Sequence, residues 1–110
     1  MEWTHEQKSA VWNKGKIVPG YDPNRFRLDK CGAWITWSCF GDRQVRFGWE
    51  IDHIIPLSKG GSDVLSNLQP LQWENNAAKC DGQLVCVVTA WLETNVSVSE
   101  FQRLSSLTRR

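Results

Sequence analysis

Apolar and polar positions fall in short blocks along this chain, and the blocks change period often. Thr4-His5-Glu6-Gln7 opens the first, since a threonine followed three residues later by glutamine marks a capping box. It predicts a short helix to about Asn13, stopped by Gly15. Residues 18–24, VPGYDPN, hold two prolines and a glycine and predict a loop. Arg25, Arg27 and Lys30 follow on an expected exposed segment. Residues 33–40, AWITWSCF, are rich in aromatic and β-branched side chains and predict a strand. Gly41-Asp42 makes the next turn, and residues 45–51 read as a second strand. After the Gly60-Gly61 turn the pattern returns to strand and then to a helix-like run over residues 72–79.

The C-terminal third is less regular. Residues 84–92, LVCVVTAWL, are continuously apolar; their valines favour a buried strand over a helix, though periodicity alone leaves both open. Ser97-Val-Ser-Glu100 resembles a second capping box, and Val98, Phe101, Leu104 and Leu107 then place a narrow apolar stripe on a terminal helix. Arg109-Arg110 would stabilise that helix's C-terminus or touch phosphate. The fold class expected is α+β, with helices flanking a strand-rich centre.

A length of 110 residues predicts one domain, residues 1–110, with a modest core. Seven tryptophans are a way to build that core from few residues, so Trp34, Trp37 and Trp49 are expected inside rather than stacked on bases. Glu2, His5, Glu6 and Lys8 leave no room for a signal-peptide apolar region, and residues 84–92 are too short to span a membrane. The expected compartment is the cytoplasm.

The net charge of +1 hides an uneven distribution. Residues 8–46 carry eight basic side chains against three acids, and residues 50–81 carry two against five. A basic flank beside an acidic pocket suits a protein that grips a polyanion and holds a cation. Lys14, Lys16, Arg25, Arg27, Lys30, Arg43 and Arg46 are the candidate phosphate contacts, with affinity independent of sequence.

The chemistry gathers in residues 50–79, EIDHIIPLSKGGSDVLSNLQPLQWENNAAK. Asp52 precedes His53, one of only two histidines; Asn67 follows the Gly-Gly turn, and Asn75-Asn76 precede Lys79. This stretch resembles the ββα-metal motif of the HNH endonucleases, in the variant whose last histidine is an asparagine. The signature positions are His53, Asn67 and Asn76, spaced 14 and 9 residues apart, with Asp52 completing the Asp-His pair. The likeness extends over about residues 12–82 and leaves the C-terminal tail unexplained.

The resemblance implies a metal-dependent DNA endonuclease of bacterial or phage type. Defence, restriction, packaging and mobile-element functions all use the motif. Asp52 and Asn76 would hold one divalent ion through oxygen, which suits Mg²⁺ or Mn²⁺, with Ni²⁺, Co²⁺ or Zn²⁺ as further options. His53 would be the general base. It would point away from Asp52 because neighbours on a strand face opposite sides. Asn67 would position the loop and the imidazole. Glu50 and Lys79 are accessory candidates, Glu50 on the same strand face as Asp52 and Lys79 one turn beyond Asn76, where it could meet a phosphate. The partner expected is DNA, double-stranded, with a homodimer or partner protein as an option. The rival readings are a catalytically silent DNA- or partner-binding module on the same fold and a zinc-stabilised interaction domain.

Several HNH relatives carry two CxxC zinc pairs. Cys31, Cys39, Cys80 and Cys86 are spaced too widely for one. The expectation is four reduced, mostly buried thiols, with an irregular zinc site as the alternative.

Overall fold

A computed structural model describes residues 2–108, so Arg109 and Arg110 lie outside the described residues. Helix α1 (His5–Trp12) begins at the expected capping box: the Thr4 side chain accepts from the Gln7 backbone, and the Gln7 side chain accepts from the Thr4 backbone. Three two-stranded antiparallel sheets follow, pairing β1 (Phe26–Leu28) with β2 (Trp34–Thr36), β3 (Trp49–His53) with β4 (Leu68–Gln72), and β5 (Val88–Trp91) with β6 (Thr94–Ser97). Helix α2 (Trp73–Lys79) continues directly from β4, and helix α3 (Val98–Leu107) from β6. The class is α+β, and its centre runs strand, turn, strand, helix as the pattern predicts.

Tryptophans build the core. Val11, Trp12, Ile35, Trp49, Ile51 and Leu68 are buried together, with Trp3, Trp37 and Phe40 packed against them. The Trp49 ring lies 5.2 Å from Trp12 and meets Phe40 edge-on at 4.8 Å. An indole is buried without penalty only when its N–H finds an acceptor. Trp12 Nε1 donates to the Pro23 carbonyl at 2.9 Å, and Trp34 Nε1 to that of Leu92 at 2.8 Å.

Three expected strands are shorter than, or start later than, their apolar runs. Past Thr36 the chain makes a 3-10 turn at Trp37–Cys39, which brings Phe40 alongside Trp49. Residues 45–48 do not extend β3, because they fold back on residue 42: a Cβ on Gly48 would sit 1.7 Å from the Asp42 carbonyl oxygen. In the 84–92 run only Val88–Trp91 forms a strand. Val85 and Cys86 are exposed, and Cys86 is bonded to Cys31.

That bond corrects the expectation of four reduced, mostly buried thiols. Cys31 and Cys86 form a disulfide with Cα atoms 5.4 Å apart; Cys39 is half-buried and Cys80 exposed. The expectation assumed a reducing compartment, and spacing in sequence does not reveal that the residues after β1 and before β5 meet. Asp29 fixes this junction. Its Oδ1 accepts from the backbones of Cys31 and Ala33, and its Oδ2 from the Gln72 backbone and the Asn75 amide. Burial raises the Asp29 carboxyl above its ordinary value, and the four N–H donors work against that rise.

Among the described residues, no helix is long and apolar enough to cross a membrane.

Candidate active site

The β3–β4 hairpin and α2 carry every signature side chain. Register sets Asp52 opposite Gln69 and His53 opposite Leu68. Gln69 Nε2 donates to Asp52 Oδ2 at 2.8 Å. From the last turn of α2, Lys79 reaches back with Nζ 3.3 Å from Asp52 Oδ1, and it donates to the His53 carbonyl at 3.0 Å. Lys79 is buried, so it stands inside the fold rather than free to meet a phosphate.

His53 has different partners from its neighbour, as expected of adjacent strand residues. Its Nε2 lies 2.7 Å from Asp63 Oδ1, and its ring packs 5.7 Å from that of Trp3. Asp63 lies in the loop between β3 and β4, and Asn67 holds that loop. Asn67 Oδ1 accepts from the Ile55 backbone at 2.8 Å, while Nδ2 donates to the carbonyls of Ile55 at 3.0 Å and Ser62 at 2.8 Å. One buried amide thus joins both ends of the loop, directly before Asp63. Only glycine fits at position 61, where a Cβ would lie 1.8 Å from the Ile55 carbonyl oxygen.

Asn76 Nδ2 donates to Glu50 Oε1 at 2.8 Å, and Arg43 grips the same carboxylate at 2.6 and 2.8 Å. Burial pushes the Glu50 carboxyl up, but the Arg43 and Asn76 hydrogen bonds and the Arg43 charge outweigh it, so it sits below its ordinary value. With Nδ2 committed, the Asn76 side-chain oxygen Oδ1 has no protein donor among the described residues. Asn75 faces the interior: its Oδ1 accepts from the backbones of Val87 and Val88, and its Nδ2 donates to Asp29 and to the Val88 carbonyl.

Asp52, His53 and Asn76 line one cleft of about 280 Å³, with Ser58, Cys80 and Asp81 at its walls. Its protein donors are a carboxylate and an amide oxygen, which fit a hard cation. A carboxylate holding two partners still has lone pairs for a third. Among the described residues no group of three or more His, Cys, Asp or Glu could hold a metal. A cation held by the Asp52 and Asn76 oxygens would fill the rest of its shell with water or phosphate, as Mg²⁺ does. The Lys79 ammonium is a competing charge on the same carboxylate.

The candidate phosphate contacts divide sharply. Arg27 is buried and not exposed as expected, because its guanidinium donates to the carbonyls of Pro23, Asn13 and Gly15, closing the C-terminal end of α1. Burial lowers its pKa. Lys14 Nζ donates to the carbonyls of Leu65 and Leu68. Arg43 pairs with Glu50 and Arg46 with Glu74. Arg25 lies over the Phe26 ring at 5.2 Å, and Lys16 and Lys30 are exposed. Sequence reasoning missed Asp63 and Gln69. The hairpin register would have found Gln69; nothing in the local pattern marks Asp63.

Residues 39–80 match the family model described as HNH endonuclease. No curated protein and no solved structure matches the chain.

Proposed function

We propose that this chain, whose residues 39–80 match the HNH endonuclease family model, is a divalent-metal-dependent endonuclease that hydrolyses DNA phosphodiester bonds. Residues 1–110 act as one nuclease domain. The observation that carries this reading is the cleft shared by Asp52, His53 and Asn76. With the Nε2 proton donated to Asp63, His53 keeps a lone pair on Nδ1 and takes a proton from the attacking water. The water oxygen bonds to phosphorus as the bond to the 3′ oxygen breaks. Asp52 and Asn76 would hold the cation by oxygen, with Mg²⁺ or Mn²⁺ the best match. Such an ion, when bound, supplies Lewis-acid stabilisation of the charge on the phosphate and the departing oxygen. Asn67 acts through the loop, and Glu50 through the Asn76 amide. The test is plasmid nicking with Mg²⁺ or Mn²⁺, with and without EDTA, beside His53→Ala. Metal-dependent cutting that disappears in the variant is the expected result. Cutting by a folded His53→Ala protein at the wild-type rate removes the mechanism.

One observation favours a second reading, a silent DNA-binding module. Lys79 already neutralises Asp52 across 3.3 Å, so the carboxylate does not need a metal for charge balance. DNA binding without cleavage under any divalent cation would establish it.

A further inference from the structure

The cleft holding Asp52, His53 and Asn76 adjoins a second, and the second adjoins a third. A cleft of about 380 Å³ between β1, the residues after α1 and β4 shares Lys30, Ile54 and Gln69 with a second of about 410 Å³. That second cleft shares Pro56 and Asp81 with the cleft holding Asp52, His53 and Asn76. The three clefts therefore adjoin in a path from Lys16 to His53. Lysines mark its length: Lys14, Lys16 and Lys30 on the first part, Lys30, Lys59 and Lys79 on the second.

These lysines are not equivalent. Lys14 is engaged by two carbonyls and Lys79 by Asp52. The ion pairs among the described residues use Arg43, Arg46, His53, Lys79 and Arg103. Lys16, Lys30 and Lys59 are exposed and belong to none of them. Besides Asp52 in the active-site cleft, two acids line the path. Asp29 is buried with both oxygens filled by N–H donors, so it offers the groove little. Asp81 is exposed at the junction with the active-site cleft. The rest of the lining is partly apolar, with Leu28, Ile54 and Pro70 among its residues. Ammonium groups outside those ion pairs, beside such a lining, suit a chain of anions with apolar surface between them.

We infer that this groove binds the sugar–phosphate backbone of one DNA strand, with Lys16, Lys30 and Lys59 meeting successive phosphates and leading the strand to His53. The assignment deepens the endonuclease reading and rests on it for the identity of the polymer. It also shifts the DNA contacts away from Arg27, Arg43 and Arg46, which are engaged within the protein.

The test uses the full chain carrying His53→Ala, in EDTA, with a short fluorescent DNA in single-stranded and duplex form. Affinity is measured across a salt series for the parent and for Lys16→Gln/Lys30→Gln/Lys59→Gln. On duplex, the slope of log affinity against log salt should flatten by about 0.9 for each phosphate that the variant no longer neutralises, hence by about 2 to 3 in all. The Lys→Arg triple variant should restore the slope, and Arg103→Gln on α3 should leave it unchanged. An unchanged slope in the triple Gln variant, or an equal change in Arg103→Gln, overturns the groove. Cleavage by wild-type protein is measured separately. If the slope flattens as expected but no divalent cation gives cleavage, the groove stands and the endonuclease reading falls. If cleavage occurs and the slope is unchanged, the reverse holds.

Discussion

Lys79 Nζ stands 3.3 Å from Asp52 Oδ1, and both side chains are almost wholly buried. The pair joins the last turn of α2 to the end of β3. Removing one member leaves the other charged in a site that water scarcely enters, which typically costs about 3–5 kcal/mol. Gln69 offsets part of that cost through its bond to Asp52 Oδ2. Lys79→Met should therefore lose about 3 kcal/mol in urea unfolding, and Mg²⁺ should recover some of the loss by taking the ammonium's place beside Asp52. A loss under about 0.5 kcal/mol, the range of an ordinary surface substitution, or no response to Mg²⁺, would show that the two cations do not share the carboxylate.

Asn75 and Asn76 separate structure from chemistry. With Asn76 in the signature position and Asn75 about 100° away around the helix, the expectation is that cleavage tolerates change at Asn75 far better. The structure reverses this for stability, because the Asn75 side chain is fully buried and ties α2 to residues 87 and 88 and to Asp29. Asn75→Ala should cost about 2–4 kcal/mol, because each buried group left unpartnered costs about 1–3 kcal/mol. Asn76→Ala should melt near wild type and lose cleavage at low metal, with partial recovery at high metal. Activity alone cannot tell the two apart; unfolding and cleavage measured together can.

The hairpin, the helix after it and the capped α1 were legible because each rests on local pattern. The Thr4 box, the Gly60-Gly61 turn and the run at 72–79 are signals that no distant contact needs to complete. The failures share a cause in contacts distant along the chain. Residues 33–40 look like one strand until the need to set Phe40 against Trp49 bends them. Arg27 looks solvated until the carbonyls at the end of α1 claim it. Asp63 has no marker of its own and matters only because the Asn67 clamp sets the loop it stands in.

Glu50 makes the site sensitive to acid. Its folded pKa is depressed by Arg43 and Asn76, so its stabilising contribution is complete above the unfolded value, about 4.3, and is lost as pH falls through the folded value. Stability measured from about pH 6 downward should fall more steeply for wild type than for Glu50→Gln. Parallel curves would mean the Arg43 pair adds nothing, as many exposed pairs do.

The Cys31–Cys86 bond spans 55 residues of sequence. Loops of that length lose about 2–4 kcal/mol of stability on reduction. Unreduced, denatured protein should react with thiol reagent only at Cys39 and Cys80, and the full set of four should appear after reduction. Four thiols before reduction would establish the fully reduced state that a cytoplasmic compartment implies.

Asp63 offers the sharpest test of how His53 works. Its carboxylate lies 2.7 Å from His53 Nε2 and is half exposed, while the imidazole is largely enclosed. If His53 is the base, a partner on Nε2 would fix its tautomer and leave Nδ1 as the acceptor, with Asp63 as a positioning residue. His53→Ala should lower kcat by on the order of 10² to 10⁴. Asp63→Ala should lower it less, by on the order of tenfold to a hundredfold, as outer partners of catalytic groups do, with KM nearly unchanged. Asp63→Asn still presents an oxygen to Nε2–H and should recover part of the loss. The decisive comparison is a cycle, since residues acting through one another are not additive. In a His53→Ala background, Asp63→Ala should cost nothing further in kcat. An undiminished cost there would mean that Asp63 acts on DNA or on the loop rather than on the imidazole.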